Sequence, residues 1–397
     1  MKQTEVRGSH DDATLDQMQA VAASAAYTAL MADGHRGYYM PIGGVAAFRN
    51  AVSAHGVGVD IACGNAAIMT DLTIDDTVTR QYLGEIANEI TQAIGFGMSQ
   101  PTNPSPDKPN DHRLFDDPRW TLIPAKVRGN LMERARAQLG TVGGGNHYVD
   151  VFSDEEGRIW IGCHFGSRGL GYITSNGMIL QAQQGAGTWR DLRPNADWND
   201  ARLFDLDTAL GQDYMHLMEL CGEYAYAGRR WVVNKVASIM GGTQLDYVHN
   251  HHNFAWRENH YGEDLIVVRK GATPAFEGQR GFVGGSMGDV SVILRGTSAG
   301  AELLQSTVHG AGRVMGRMQA KGKWKRGECV RPGLISPEDM AGAIGGLILR
   351  GGDLDEAPQA YRPLDDVLAA QGPTIVVEER LHPLIVCMAP KDGRRGR

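Results

Sequence analysis

The sequence lacks any uninterrupted apolar run approaching the ~20 residues that a membrane-spanning helix requires, so no such helix is expected. It is also poor in cysteine. The five that occur, Cys63, Cys163, Cys221, Cys329 and Cys387, are odd in number, far apart and never in CxxC spacing. That excludes a disulfide framework and favours a reducing, cytoplasmic setting. An excess of positive charge is missing too. With 39 Lys and Arg against 46 Asp and Glu, the net charge is -7, which excludes coating nucleic acid through bulk charge and leaves room only for a local basic groove. The first residues, Met1 to Arg7, turn polar at once, so no secretory signal is expected. What is abundant is glycine, 52 of 397 residues, together with 13 histidines. The glycines fall in short runs beside His, Asn, Asp and Ser, the pattern of tight loops that approach a ligand closely.

Periodicity gives mixed elements. Asp12 to about Met31 reads as one helix, with Leu15, Met18, Val21, Ala22 and Ala25 on a common face. Gly37 to Ala47 reads as turns and short strands, and Thr77 to Ile94 as a second helix ended by Gly95. Residues 99–119 carry five prolines and read as a surface loop. Ile159 to His164 reads as a buried strand, Leu206 to Met240 as a helix stopped by Gly241 and Gly242. Leu265 to Val268, Val290 to Leu294, Thr374 to Val377 and Leu384 to Met388 read as strands. No regular βαβ period and no internal repeat appear, so the expected class is α+β, a single large domain over 1–397 with loops borne on mixed or antiparallel sheets.

Six constellations carry chemistry. Asp60 and Cys63 stand three apart between glycines, a carboxylate and a thiol that can share a metal, or else a turn Asp and a structural Cys. Gly143 to Asn146 with His147 offers a glycine turn able to cradle phosphate oxygens, or a hairpin with a satisfied histidine. His164 ends a strand before Ser167-Arg168-Gly169, whose Arg suits a phosphate. His249, His251 and His252 crowd one segment. Neighbours 251 and 252 point opposite ways on a strand, so at most one reaches a given metal. Gly284 to Gly288 is a further anion cradle. His309 precedes a small-residue turn and two arginines, as a nucleophile beside a phosphate would. Each alone has a bland structural reading. Together they favour metal and phosphate chemistry.

These residues resemble the RtcB family of RNA-splicing ligases. The family's motifs stand in order along nearly the whole chain: Asp33-x-His35-x-Gly37, Gly-Val-Gly-Val-Asp60-x-x-Cys63-Gly64, Leu139-Gly-Thr-x-Gly-Gly-Gly-Asn146-His147 and His164-x-Gly-Ser-Arg-Gly-Leu-Gly171. They continue through His252-Asn253, Arg269-Lys270-Gly271-Ala272, Gly285-Ser-Met-Gly288, His309-Gly-Ala-Gly-Arg313-Val-Met315 and Asp355-Glu-Ala-Pro-x-Ala-Tyr361. The resemblance implies an RtcB-like fold around a central metal and nucleotide cleft. It implies a GTP- and Mn²⁺-dependent RNA ligase that joins 3′-phosphate or 2′,3′-cyclic phosphate ends to 5′-hydroxyl ends. His309 would be the guanylylated nucleophile. Cys63 would bridge two Mn²⁺ ions, with Asp60 and His147 completing one site and His164 and His252 the other. The nucleotide would meet Asn146, His147, Tyr148, Asp150, His252, Asn253, Gly284, Gly285, Ser286, Met287, Ser291, His309, Gly310, Ala311 and Gly312. Tyr148 and Tyr361 would stack on guanine and Lys391 would contact its edge. A monomer is implied, with an accessory activating protein as a candidate partner.

This sequence departs from the family pattern in places. The acid after the glycine turn is Asp150, one methylene shorter than the usual Glu, the Asn of a Tyr-Ala-x-x-Asn-Arg stretch is Gly228, and the C-terminal Val-Lys-Gly is replaced around Lys391. Those departures keep a metal-dependent phosphohydrolase or cyclic phosphodiesterase on the same scaffold as the alternative. Arg313, Arg317, Lys321, Lys323, Lys325 and Arg326 form a basic stretch suited to RNA phosphates, while residues 392–397 are expected to be a flexible basic tail.

Overall fold

The computed structural model describes residues 4–74, 79–98, 102–185, 189, 196–197, 200–325 and 328–390. Lys391, the basic tail and Arg326 lie outside the described residues. Two large sheets carry the fold. One has five strands in the order Glu5–Val6, Tyr27–His35, Ile42–Phe48, Glu263–Lys270, Asn253–His260. The other runs Arg280–Val283, Ser291–Gly296, Ile375–Pro390, Tyr148–Ser153, Arg158–His164, Gly64–Thr73, Gln244–His251, with Ile348–Gly352 lying parallel beside Ile375–Pro390. Most pairings are antiparallel, as the α+β expectation requires. The second sheet curls until its two ends are tied together. Asn65 donates to the Phe282 carbonyl at 2.8 Å, and the Phe282 N–H donates to Asn250 Oδ1 at 3.2 Å.

A helix of 32 residues, Ala209–Met240, packs across this sheet. Thr208 starts it by accepting the Gly211 N–H, and Gly241 stops it at φ 74°. Its Val232, Val233, Val236 and Ala237 bury against Ala66, Ile68, Ile161 and Phe165. Each such aliphatic contributes roughly 1.5–3 kcal/mol by leaving water. At Gly222 the helix approaches the strands so closely that a Cβ would stand 2.9 Å from the Phe254 ring.

Several expected elements change. The helix from Asp12 ends at Ala22, and Tyr27–His35 is a strand. Ala29, Leu30, Met31 and Ala32 are good helix formers, but pairing with Ile42–Phe48 and burial on both faces override that propensity. The second helix spans Arg80–Ala93, capped by the Thr79 side chain. The proline-rich stretch is not only surface loop: it holds two 3₁₀ turns, Arg113–Asp116 and Pro118–Leu122, and buries Leu114, Phe115 and Trp120. The two expected C-terminal strands are one, Ile375–Pro390, whose register shifts between Pro383 and Ile385. Proline there offers no ladder N–H.

Candidate active site

The ends of four neighbouring strands converge. Gly64 pairs with His251, Asn65 with His164, and Tyr148 with His164. Cys63, His147, His164 and His252 therefore meet at one edge of the curled sheet. Cys63 is aimed by a turn in which Ala62 takes φ 61°, its N–H donating to the Asn253 carbonyl at 2.8 Å. The Cys63 carbonyl in turn accepts the His252 N–H at 2.8 Å.

Cys63 Sγ lies 3.2 Å from His164 Nε2 and 3.5 Å from His147 Nε2, and the candidate ligand atoms of these three lie within 4.8 Å of one another. Asp60 Oδ2 is 3.0 Å from His147 Nε2. The His164 and His252 rings are 5.0 Å apart, and His252 and His309 4.9 Å. Burial holds the His164 and His252 imidazoles far below their usual pKa, with neighbouring histidines adding to the effect, so both are neutral and free to ligate. His252 Nδ1 is buried with no protein partner. Burial drives the Cys63 thiol pKa up, and the Asp60 carboxylate adds to it. Burial, the largest single influence, would raise the Asp60 carboxyl as well, yet the His147 hydrogen bond and charge, with Cys63 and Arg168, together outweigh it and hold the group below its ordinary value. Neutral imidazoles, a carboxylate, an orphaned nitrogen and a thiol that needs a cation to ionise form a donor set that fits divalent metal. His251, as its neighbour's direction demands, points away: it stacks 3.8 Å from Tyr226 and accepts from the buried Arg229 at 2.9 Å.

His309 follows the short strand Ser306–Val308. Its partner is Asp33, fully buried on the strand Tyr27–His35. One oxygen, Asp33 Oδ2, accepts His309 Nδ1–H at 2.6 Å, the His309 N–H at 2.9 Å and the Gly310 N–H at 3.3 Å. With Nδ1 engaged, the lone pair sits on Nε2 of a ring that lines the cleft. Gly312 makes this approach feasible. It takes φ 71°, and a Cβ there would stand 2.4 Å from the Asp33 carbonyl oxygen. Asp33 stands in a sequence motif, but its partner lies 276 residues away, beyond the reach of local spacing.

The cleft that opens from this cluster is about 400 Å³. Its walls include Asn146, Tyr148, Asp150, His252, Asn253, Gly284 to Met287, His309 to Gly312 and Tyr361. Ser291 is not on the wall. Its hydroxyl accepts the Gly285 N–H at 3.1 Å and so shapes the glycine loop. Asn253 also ties loops together, accepting the Gly271 N–H at 2.7 Å. Asp150 is buried with Oδ1 unpartnered, and desolvation pushes its carboxyl pKa well up. Tyr148 meets His164 edge-on at 5.4 Å. Tyr361 gives its hydroxyl to Glu356 and lies under the Arg313 guanidinium, 4.9 Å from ring to cation. Lys270 also lines the cleft. Burial brings its amine down to about 7, with the Tyr38 and His55 carbonyls as acceptors.

For Arg313, Arg317 and Lys321, three of the six cations in the basic stretch after His309, the expectation is corrected. Arg313 donates to Glu356 at 3.4 Å and to the Asp355 carbonyl at 2.6 Å, Arg317 to Asp355 at 3.0 Å and to Glu356, and Lys321 to Asp353 and Asp355 at 3.2 and 3.1 Å. Those cations are neutralised by the chain's own acids and are not an open phosphate track.

The chain matches the family model described as tRNA-splicing ligase RtcB over residues 15–389. It is 31% identical to the RNA-splicing ligase RtcB of Escherichia coli (strain K12), covering 91% of this chain and 90% of that protein. The tRNA-splicing ligase RtcB of Archaeoglobus fulgidus is 30% identical, covering 85% and 82%. That of Thermococcus kodakarensis is 27% identical, covering 97% and 91%. Among the described residues, no helix is long and apolar enough to cross a membrane.

Proposed function

The chain belongs to the RtcB family, and from that premise we propose that it is a cytoplasmic RNA ligase that uses GTP and Mn²⁺ to join 3′-phosphate or 2′,3′-cyclic phosphate ends to 5′-hydroxyl ends through a guanylylated His309. The observation that carries this reading is the Asp33–His309 pair, 4.9 Å by ring centres from His252 in the Cys63 cluster.

Asp33 holds the Nδ1 proton of His309, so Nε2 attacks the α-phosphorus of the nucleotide. The Nε2–P bond forms and the bond to pyrophosphate breaks. A 2′,3′-cyclic end first takes up water, its P–O2′ bond breaking to leave a 2′-hydroxyl and a 3′-phosphate. An RNA 3′-phosphate oxygen then attacks the histidine-bound phosphorus, and the P–Nε2 bond breaks to free His309. Attack of the 5′-hydroxyl on the activated 3′-phosphate forms the new phosphodiester and expels GMP. The ring turns cationic when Nε2 is substituted, and the buried Asp33 carboxylate offsets that charge. Asp60, Cys63 and His147 would hold one Mn²⁺, and Cys63, His164 and His252 the second. Bound there, the ions supply neutralising charge for the phosphates. Gly284 to Met287, with Ser291 behind them, present backbone to the nucleotide. Asp150 offers its unpartnered oxygen to purine N–H donors, and Tyr361 offers a ring face.

The test is ligation of an RNA 3′-phosphate end to a 5′-hydroxyl end with GTP and Mn²⁺. Wild type joins them and His309→Ala does not. Release of phosphate without GTP, unchanged in His309→Ala, would replace this reading with the phosphohydrolase one.

A further inference from the structure

We propose that Arg36 and Tyr38 form a landing site for an unpaired RNA nucleotide at the lip of the cleft, the Tyr38 ring stacking on its base and the Arg36 guanidinium meeting an adjoining phosphate. The proposal rests on the ligase reading and locates where the RNA strand enters.

The charge inventory of the cleft leads to this place. Four cationic side chains line it: Arg36, Lys270, Arg313 and Arg317. Lys270 is spent on the Tyr38 and His55 carbonyls, and Arg313 and Arg317 on Asp355 and Glu356. Arg36 is exposed and makes no hydrogen bond or ion pair among the described residues. Asp11, a carboxylate whose field reaches it, already caps the Thr14 N–H at 2.7 Å. A polyanion approaching the cleft therefore meets Arg36 as its uncommitted cation.

The aromatic inventory leads to the same loop. Three tyrosines line the cleft. Tyr148 is 8% exposed against His164, and Tyr361 has one face under Arg313 and the other given above to the purine. Tyr38 is 69% exposed, with its ring open to solvent. The next residue explains why it stays there. Tyr39 takes φ 55° and turns its own ring inward, edge-on to His55 at 5.9 Å. The Met40 N–H closes the turn onto the Tyr38 carbonyl at 2.6 Å, and the buried Lys270 ammonium clamps that same carbonyl. The backbone that carries the ring is thus held before any ligand arrives, which lowers part of the ordering cost of stacking. An aromatic face beside a free cation is the combination that binds single-stranded nucleic acid without reading sequence.

The experiment uses the full chain with Mn²⁺ and a short fluorescein-labelled single-stranded RNA ending in a 3′-phosphate, read by anisotropy without GTP. Tyr38→Ala is expected to weaken RNA binding about tenfold, while Tyr38→Trp restores it. Arg36→Gln is expected to flatten the salt dependence of log affinity by about 0.7, the contribution of one phosphate contact on a single strand. Tyr38→Ala binding RNA within about twofold of wild type would overturn the proposal, stacking being worth more than that. Equal losses in RNA and GTP affinity would also overturn it, by placing the ring against the mononucleotide. The ligase reading is judged separately on wild type. A wild-type protein that forms no histidine–GMP adduct fails that reading, whereas one that forms it and ignores Tyr38→Ala fails only this inference.

Discussion

Asp33→Asn removes one negative charge and little else. In the wild type the Asp33 carboxylate takes three donors on one oxygen, His309 Nδ1–H at 2.6 Å being the shortest. The amide keeps the shape and an acceptor for the two backbone N–H groups, so the fold is expected to survive. What is lost, on the proposed function, is the counter-charge for the cationic ring that would form when Nε2 takes a phosphoryl group. At an effective dielectric of about 20, a unit charge pair at that separation is worth roughly 6 kcal/mol. Screening through the open cleft reduces this to about 4 kcal/mol, or ~10³ in rate at 1.36 kcal/mol per decade. An orienting Asp→Asn change in a Ser-His-Asp triad, an analogous arrangement, costs about 10⁴. The assay is the single-turnover rate of histidine–GMP formation with labelled GTP, beside thermal unfolding as a control. A loss of 10³ to 10⁴ with the melting temperature held is the expected result, on the scale of those two costs. A loss below about tenfold, 1.4 kcal/mol, would refute the role given to Asp33.

Three further outcomes are expected. Cys63→Ala removes the sulfur lying between His147 and His164, so Mn²⁺ affinity should fall by more than the ~10–100-fold typical of losing a partner that only orients a ligand; unchanged metal content by elemental analysis would contradict this. Lys270 has its folded pKa lowered to about 7 from 10.5, so the unfolded chain holds the extra proton between those values and stability should rise with pH across that window, by up to ~1.4 kcal/mol per unit relative to Lys270→Met; parallel denaturation profiles for the two proteins would contradict it. Glu356→Ala strips Arg313, Arg317 and Tyr361 of a shared, buried acceptor. Arg317 is half-exposed, which trims the cost to about 1–3 kcal/mol, visible as a melting temperature lowered by a few degrees and a raised KM for the nucleotide; a variant matching wild type in both would show the brace to be idle.

The local grammar of the site was legible. The glycine turn before His147 and the strand end at His164 read correctly, because turns and strand alternation are short-range properties. That at most one of His251 and His252 reaches the site followed from strand geometry, the resemblance pointed to His252, and the structure turns His251 to Tyr226 and Arg229. Long-range pairing was not legible. Nothing near His309 announces Asp33, and nothing in the run Arg313 to Lys321 announces that Asp353, Asp355 and Glu356 return to neutralise it. The same holds for the fold. Tyr27–His35 carries helix-forming residues, and only pairing with Ile42–Phe48 makes it a strand. Gly64–Thr73, the strand that starts directly after Cys63, shares only Gly64 with the motif legible there, and nothing local announces its place between Arg158–His164 and Gln244–His251.

On the proposed function, His309 Nε2 takes GMP from GTP. The decisive measurement is intact mass after incubation with GTP and Mn²⁺, beside His309→Ala. A gain of one GMP on the wild type, lost on acid treatment and absent from the variant, is the expected result, since a phosphorus–imidazole bond to that ring is the step everything else rests on. No gain in a protein shown to hold Mn²⁺, or an equal gain in His309→Ala, would contradict it.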